Sequence, residues 1–181
     1  MSTINRKVLV LVSHPNLEDS RINDALAAAA ASVANVTVRH IDSVLESNGG
    51  HFDAPTEQEI IDAHDVLVFQ FPWYWYSAPA AIKQYLDEVL TSGWAYLGRT
   101  ALEGKPLIFA ITTGGAEQAY SADGQNKYTM NELLAPYIAT ANMTRMIWNE
   151  PFVVHGVRTL SEQELHEVVS NYKDTLTSFA H

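Results

Sequence analysis

Val66-Leu67-Val68-Phe69-Gln70-Phe71-Pro72-Trp73-Tyr74-Trp75-Tyr76-Ser77-Ala78-Pro79 opens as a buried strand and closes in four consecutive aromatic residues between two prolines. Pro72 lacks an amide hydrogen and cannot continue a central ladder, so the strand is expected to stop at Phe71. The aromatic run then falls in the loop after a strand, the place where ligands collect in open α/β sheets. Four rings in a loop are costly to hydrate and call for a flat apolar ligand, another subunit, or both.

Working outward, Val8 to Val12 is a continuous aliphatic run, as in a strand buried on both faces. Ser20 is placed to cap a helix running from Arg21 through the alanines to Ala31. Val36 to His40 reads as a second strand, followed by a polar loop with a turn at Asn48-Gly49-Gly50. Thr56, with Glu59 three residues on, predicts a capping box opening a short helix from Glu57 to His64. Pro79 suits the first turn of a helix whose apolar stripe is Ile82, Tyr85, Leu86 and Val89. Leu107 to Ile111 is a fourth strand, and Thr129 to Ala141 reads as a helix despite Pro136. Met146 to Trp148 and Phe152 to Val154 make a fifth strand region, and Ser161 with Glu164 opens a last helix to about Phe179. Strands alternating with helices five times predict an α/β fold, a five-stranded parallel sheet with helices on both faces. With no repeat or linker, residues 1–181 are expected to form a single domain.

The formal net charge of −10 makes nucleic acid and anionic membranes poor partners. Apolar residues at 47% are normal for a globular protein and argue against disorder. There is no cysteine, which removes disulfides, a catalytic thiol and iron–sulfur ligation, and which fits a cytoplasmic location. No apolar run approaches the ~20 residues of a spanning helix. The basic cluster at Arg6-Lys7 precedes a run too short for a signal peptide and without a cleavage site, so that run is taken as a strand. The histidines at 14, 40, 51, 64, 155, 166 and 181 show no paired ligand spacing on one helix, and no metal site is expected. No Gly-x-Ser-x-Gly elbow marks a serine hydrolase, and neither Gly-x-Gly-x-x-Gly nor a nucleoside-triphosphate loop is present.

In a parallel sheet the loops that follow the strands share one edge, and three of them carry unusual chemistry. Ser13 to Ser20 ends at a helix N-terminus, where free amides and the helix dipole favour an anion; His14, Ser20 and Asn23 add donors. Pro72 to Ala78 offers flat rings and amides. Thr112-Thr113-Gly114-Gly115, continuing to Tyr120 and Asp123-Gly124, lets backbone approach a planar ligand closely. Each loop alone also reads as ordinary capping, core or turn. Together, a phosphate socket beside an aromatic slot describes a flavin mononucleotide site.

The motifs His14-Pro15-x-x-x-x-Ser20-x-x-Asn23, Gln70-Phe71-Pro72-x-x-Trp75-Tyr76-x-x-Pro79-Ala80-x-x-Lys83, Gly93-Trp94-Ala95-Tyr96 and Thr112-Thr113-Gly114-Gly115 resemble those of the flavodoxin-like NAD(P)H:quinone oxidoreductases. The chain is most similar to the short bacterial branch that includes ancillary flavoproteins of glutathione-regulated potassium efflux systems. The resemblance implies a flavodoxin-like three-layer sandwich. It implies two-electron ping-pong hydride transfer from NAD(P)H through FMN to a quinone or similar electrophile, with FAD the less favoured flavin because larger relatives extend further to bind its adenine. By the same resemblance, His14, Ser20, Arg21, Ile22 and Asn23 meet the phosphate side. Pro72, Trp73, Tyr74, Trp75 and Tyr76, with Thr112, Thr113, Gly114 and Gly115, meet the ring. Gly114, Gly115 and Tyr120 would carry the electrostatic role in catalysis. Larger relatives pair a tyrosine with a histidine; Tyr120 stands at the tyrosine position and Asn126 at the histidine position, where no proton can be held near neutral pH. The relatives are homodimers with interfacial sites, which Trp94 and Tyr96 would help to close. Two other roles stay open: a regulatory subunit docked on a potassium efflux transporter, peripheral to the inner membrane, and a small electron-carrier flavodoxin.

Overall fold

The computed structural model describes residues 5–181. Its centre is a parallel sheet in the order β2-β1-β3-β4-β5, formed by β1 (Val8–Val12), β2 (Val36–His40), β3 (Val66–Pro72), β4 (Pro106–Thr112) and β5 (Ile147–Trp148); β6 (Phe152–Val154) also pairs with β4. The expected fifth strand region is thus two short strands, both hydrogen-bonded to β4.

Side-chain size separates the two faces. Leu9, Leu11, Leu67, Phe69, Phe71, Leu107, Phe109 and Ile111 point one way and are covered by α2 (Ile41–Ser47), α3 (Ala54–Asp62), α4 (Ala80–Val89), α5 (Met130–Leu133) and α6 (Ala135–Thr144). Val8, Val10, Val12, Val66, Val68 and Ala110 point the other way, beneath α1 (Arg21–Ala31) and α7 (Glu162–Ala180). Small strand residues and the buried Ala27 and Ala30 allow α1 to lie close on that face. The larger face is filled by aromatics: Tyr85, fully buried, meets Phe52 edge-on at 4.9 Å and Phe69 at 6.1 Å. Burying each such ring contributes about 1.5–3 kcal/mol.

β1 leads to α1 on one face and β3 leads to α4 on the other. The chain therefore parts between neighbouring strands β1 and β3, which opens a crevice at their carboxyl ends.

Local chemistry corrects several boundaries. The segment after β2, expected as a loop, is helix α2; it buries Ile41 alone and has no side-chain cap, so its pattern is faint. Asn48-Gly49-Gly50 does turn after it, with both glycines at positive φ. The cap of α3 is Asp53 rather than Thr56: its carboxylate accepts from the Thr56 amide at 3.1 Å, and Pro55 occupies the first turn. Pro79 is the N-cap of α4 instead of a first-turn residue. Pro72 stays in β3 as its last residue, opposite Thr112. The helix expected over Thr129 to Ala141 is broken at Leu134, because Pro136 takes the start of α6; Thr129 and Glu132 form the capping box of α5. The capping box of Ser161 and Glu164 stands as read.

Candidate active site

The three chemically unusual loops meet at the carboxyl edge, and their residues divide into those that face outward and those that hold the floor. At the start of α1, Ser20 Oγ accepts from the Asn23 amide at 3.3 Å. The amides of Arg21 and Ile22, at the first two helical positions, have no intrahelical acceptor and are available to an anion. The side chains of these two residues do something else. Arg21 pairs with Glu162 at 2.6 Å and donates to the Leu160 carbonyl at 2.8 Å, and Ile22 is buried in the core.

His14 is half-buried. The Asn16 amide donates to its Nδ1 at 3.1 Å, so the neutral ring carries its proton on Nε2 and presents a donor there. Burial pushes the imidazole below its ordinary range, with Asp42 pulling the other way. Asp42 in turn accepts from the His14 amide at 3.0 Å.

Asn23 belongs to the floor. Its amide nitrogen donates to Thr112 Oγ1 at 2.9 Å and is not left for an anion. Gln70 donates to the Asn23 carbonyl at 2.9 Å and accepts from the Tyr172 hydroxyl at 3.2 Å. This buried chain ties α1, β4, β3 and α7 together beneath the site. Ser13 Oγ and Asn23 Oδ1, both buried, have no partner among the described residues.

The aromatic loop separates in the same way. Trp73 is 7% exposed and stacks near Phe71, while its amide donates to the Thr112 carbonyl at 2.8 Å; Trp73, Pro72 and Thr112 are core. The rings left outside are Tyr74, Trp75 and Tyr76, with Trp75 93% exposed. Tyr74 and Ser77 exchange both backbone hydrogen bonds, at 2.9 and 3.0 Å, across a two-residue turn. Trp75 and Tyr76 both have positive φ, 46° and 61°, which makes a type I′ turn built without glycine. Each left-handed residue costs roughly 1–2 kcal/mol. The buried Tyr137 hydroxyl pins the exit of the turn, 2.8 Å from Ser77 Oγ and accepting from the Ala78 amide at 3.0 Å. The amides of Trp75 and Tyr76 have no acceptor among the described residues.

In the third loop the amides of Gly114 and Gly115 likewise have none. Tyr120 packs against Gly115: a Cβ added there would sit 3.4 Å from Tyr120 Cε2. Burial holds the Tyr120 hydroxyl above its ordinary range. Asn126 accepts from the Tyr76 hydroxyl at 3.2 Å and links the second loop to the third. The sequence reading passed over two neighbours. His155, just past β6, stands 5.2 Å from the Tyr120 ring, and Arg158 lies against Gly114. Trp94 is buried in the core, whereas Tyr96 lines a groove between α4 and α6.

A helix start with open amides, buried polar atoms without partners, and two loops whose amides converge beside exposed rings suit a phosphorylated, flat, polar-edged ligand, and the residues present fit FMN. The chain belongs to the family with the flavodoxin-like fold, whose model matches residues 6–176. Among its relatives, the glutathione-regulated potassium-efflux system ancillary protein KefG of Pectobacterium atrosepticum is 41% identical over 173 residues, 95% of this chain and 93% of that protein. Among solved structures, general stress protein 14 of Treponema denticola in complex with FMN superposes with a TM-score of 0.88 at 33% identity, over 96% of this chain and 99% of that one. An NADPH-quinone reductase from P. pentosaceus superposes with a TM-score of 0.84 at 32% identity, over 94% of this chain and 98% of that one.

Proposed function

We propose that this chain is an FMN-dependent NAD(P)H:quinone oxidoreductase working in ping-pong order, in which nicotinamide and quinone use the same position in turn. The observation that carries the reading is the convergence, where β1 and β3 part, of the open start of α1 with the unpartnered amides of Trp75, Tyr76, Gly114 and Gly115. Relatives that bind FMN or are named as an NADPH-quinone reductase support it. The whole chain, residues 1–181, acts here as a single flavin-binding domain.

When bound, the flavin supplies the acceptance and release of a hydride, which no side chain here can do. Around it, His14 Nε2–H, the Ser20 hydroxyl and the amides of Arg21 and Ile22 hold phosphate. The amides of Gly114 and Gly115, with the Tyr120 hydroxyl, are fixed donors for negative charge at the ring's polar edge, and they need no reorganisation when that charge grows. Tyr74, Trp75 and Tyr76 exclude water and present flat faces. Such positioning is worth up to ~7–11 kcal/mol of barrier.

A homodimer is part of the reading. Exposed Tyr74, Trp75, Tyr76, Leu97 and Met143 are too much apolar surface for a lone subunit, and the groove between α4 and α6 runs from Tyr76 to Met143. A cytoplasmic location follows from the nicotinamide substrate. Among the described residues no helix is long and apolar enough to cross a membrane. The KefG relative supports a second role, as an ancillary subunit seated on a potassium efflux transporter at the inner membrane; co-purification with such a transporter tests it.

The primary test is a visible spectrum of the purified protein. A yellow complex is expected, bleached anaerobically by NADH or NADPH and restored by a simple quinone. Flavin that binds and is reduced by neither nucleotide refutes the enzyme; protein that stays colourless with both FMN and FAD refutes the site.

A further inference from the structure

Thr113 is fully buried where β4 passes into the glycine pair. Its Oγ1 lies 2.8 Å from the Gly115 carbonyl oxygen and 3.0 Å from His155 Nδ1. A hydroxyl has one proton, and a carbonyl can only accept, so the Thr113 proton goes to Gly115. Toward His155 the hydroxyl then offers only a lone pair, and Nδ1 must carry the hydrogen. Neutral His155 is therefore the Nδ1–H form. Its Nε2 is an open base without a partner among the described residues. The imidazole lies beside Tyr120, ring centroids 5.2 Å apart and planes tilted by 39°. Tyr120 rests on Gly115, and the Gly156 amide closes the circuit on the Gly115 carbonyl at 2.9 Å. Thr113, Gly115, Tyr120 and His155 thus form one packed unit, and His155 is its member with a ring nitrogen open to a proton.

We propose that His155 is a positioning residue of the redox site: as the neutral Nδ1–H ring it locks Thr113, Gly115 and Tyr120 into one donor surface, and by taking a proton on Nε2 it sets a cation behind that surface when the flavin is reduced. The inference rests on the reading that Gly114, Gly115 and Tyr120 meet the polar edge of FMN. The balance is simple. A hydride brings two electrons and one proton, which leaves one added negative charge, and a proton drawn from water onto Nε2 compensates it. The groups that bear on this imidazole are Glu117, from the turn before Tyr120, and Tyr120 itself, on which Tyr76 acts; Arg158 stands three residues further along the same loop. Burial disfavours the imidazole's cation and Glu117 favours it, and an added negative charge nearby acts in the same sense as Glu117.

The experiment uses the full chain loaded with FMN. The midpoint potential is followed spectroscopically from about pH 5 to about pH 8.5 in wild type, His155→Gln and His155→Asn. Wild type should coincide with both variants at the alkaline end. At the acid end it should lie above them by about 30 mV, a tenfold preference for reduced over oxidised flavin in a two-electron couple. The imidazole resonance of wild type, followed by NMR, should titrate about one pH unit higher with reduced than with oxidised flavin, the same tenfold factor. That measurement decides the matter if neither variant folds. Coincident potentials at every pH, or an imidazole indifferent to flavin reduction, overturn the role of His155 while leaving the flavin site standing. Wild type that takes up no FMN overturns both.

Discussion

The buried chain Tyr172–Gln70–Asn23–Thr112 lies directly under the start of α1, the proposed phosphate site, and its energetics can be dissected. Tyr172 and Gln70 are both fully buried, and the Tyr172 hydroxyl donates to Gln70 Oε1 at 3.2 Å. Tyr172→Phe keeps the ring and its contact with Phe152 at 5.0 Å, but strands a buried acceptor, a loss of about 1–3 kcal/mol. Gln70→Leu strands the Tyr172 hydroxyl and removes the second bond to the Asn23 carbonyl, held at 2.9 Å, which keeps its place in the ladder of α1; it should cost about 1–3 kcal/mol. The double variant removes both ends of one bond, so it should be less destabilised than the sum of the singles, by about 1–3 kcal/mol of coupling. Urea midpoints read these differences directly, and in a domain of this size each kcal/mol moves Tm by about 2–4 °C. FMN affinity should fall with Gln70→Leu, because Asn23 sits at the third position of α1. Strict additivity of the two substitutions, or a Tyr172→Phe protein as stable as wild type, would refute the view that this chain carries energy.

Tyr120→Phe removes a donor from the polar edge while leaving the ring on Gly115; flavin reduction should slow by about tenfold to a hundredfold with FMN affinity little changed, and unaltered stopped-flow rates would remove Tyr120 from the chemistry. Glu57 is 1% exposed, pairs with Arg39 and accepts from the Tyr85 hydroxyl at 3.2 Å, so Glu57→Gln should lose about 3 kcal/mol, at the low end for a broken buried pair because Arg39 reaches water; denaturant titration measures it. At Gly124 an added Cβ would fall 2.3 Å from the Gln118 carbonyl oxygen, so Gly124→Ala should force open the loop that carries Tyr120 and raise its hydrogen exchange; unchanged exchange contradicts the close approach. The Phe52 amide first, then Gln84 and His51, hold the Glu88 carboxyl at about 2 against an ordinary 4.5. A carboxyl depressed by folding contributes stability that is present above 4.5 and lost as pH falls from there through about 2, and Glu88→Gln should flatten urea midpoints across that window.

The sequence exposed much of this architecture because the strands are long aliphatic runs and the helices α1 and α7 carry strong caps. It hid α2, whose seven residues bury only Ile41, and it put Thr56 where Asp53 is the cap, since either residue type can cap a helix. The role of Trp73 was in fact written in the pattern: Phe69, Phe71 and Trp73 alternate, so the third ring continues the core face of the strand. Asn23 looked like a ligand donor because its partner Thr112 stands 89 residues away, and only the folded sheet joins them. His155 was dismissed with the other scattered histidines. Yet it directly follows Phe152-Val153-Val154, and the edge rule that picked out the three loops points to it as well.

The turn at Trp75 and Tyr76 sets stability against utility. Two bulky L-residues hold a backbone shape that glycine adopts freely, and one of them lies almost wholly in water. Nothing in the folding of an isolated subunit rewards that choice. Laboratory selection for heat resistance alone would drift toward glycine here and discard the rings the site presents, so improvement of this protein needs a screen that also keeps its colour and turnover in view.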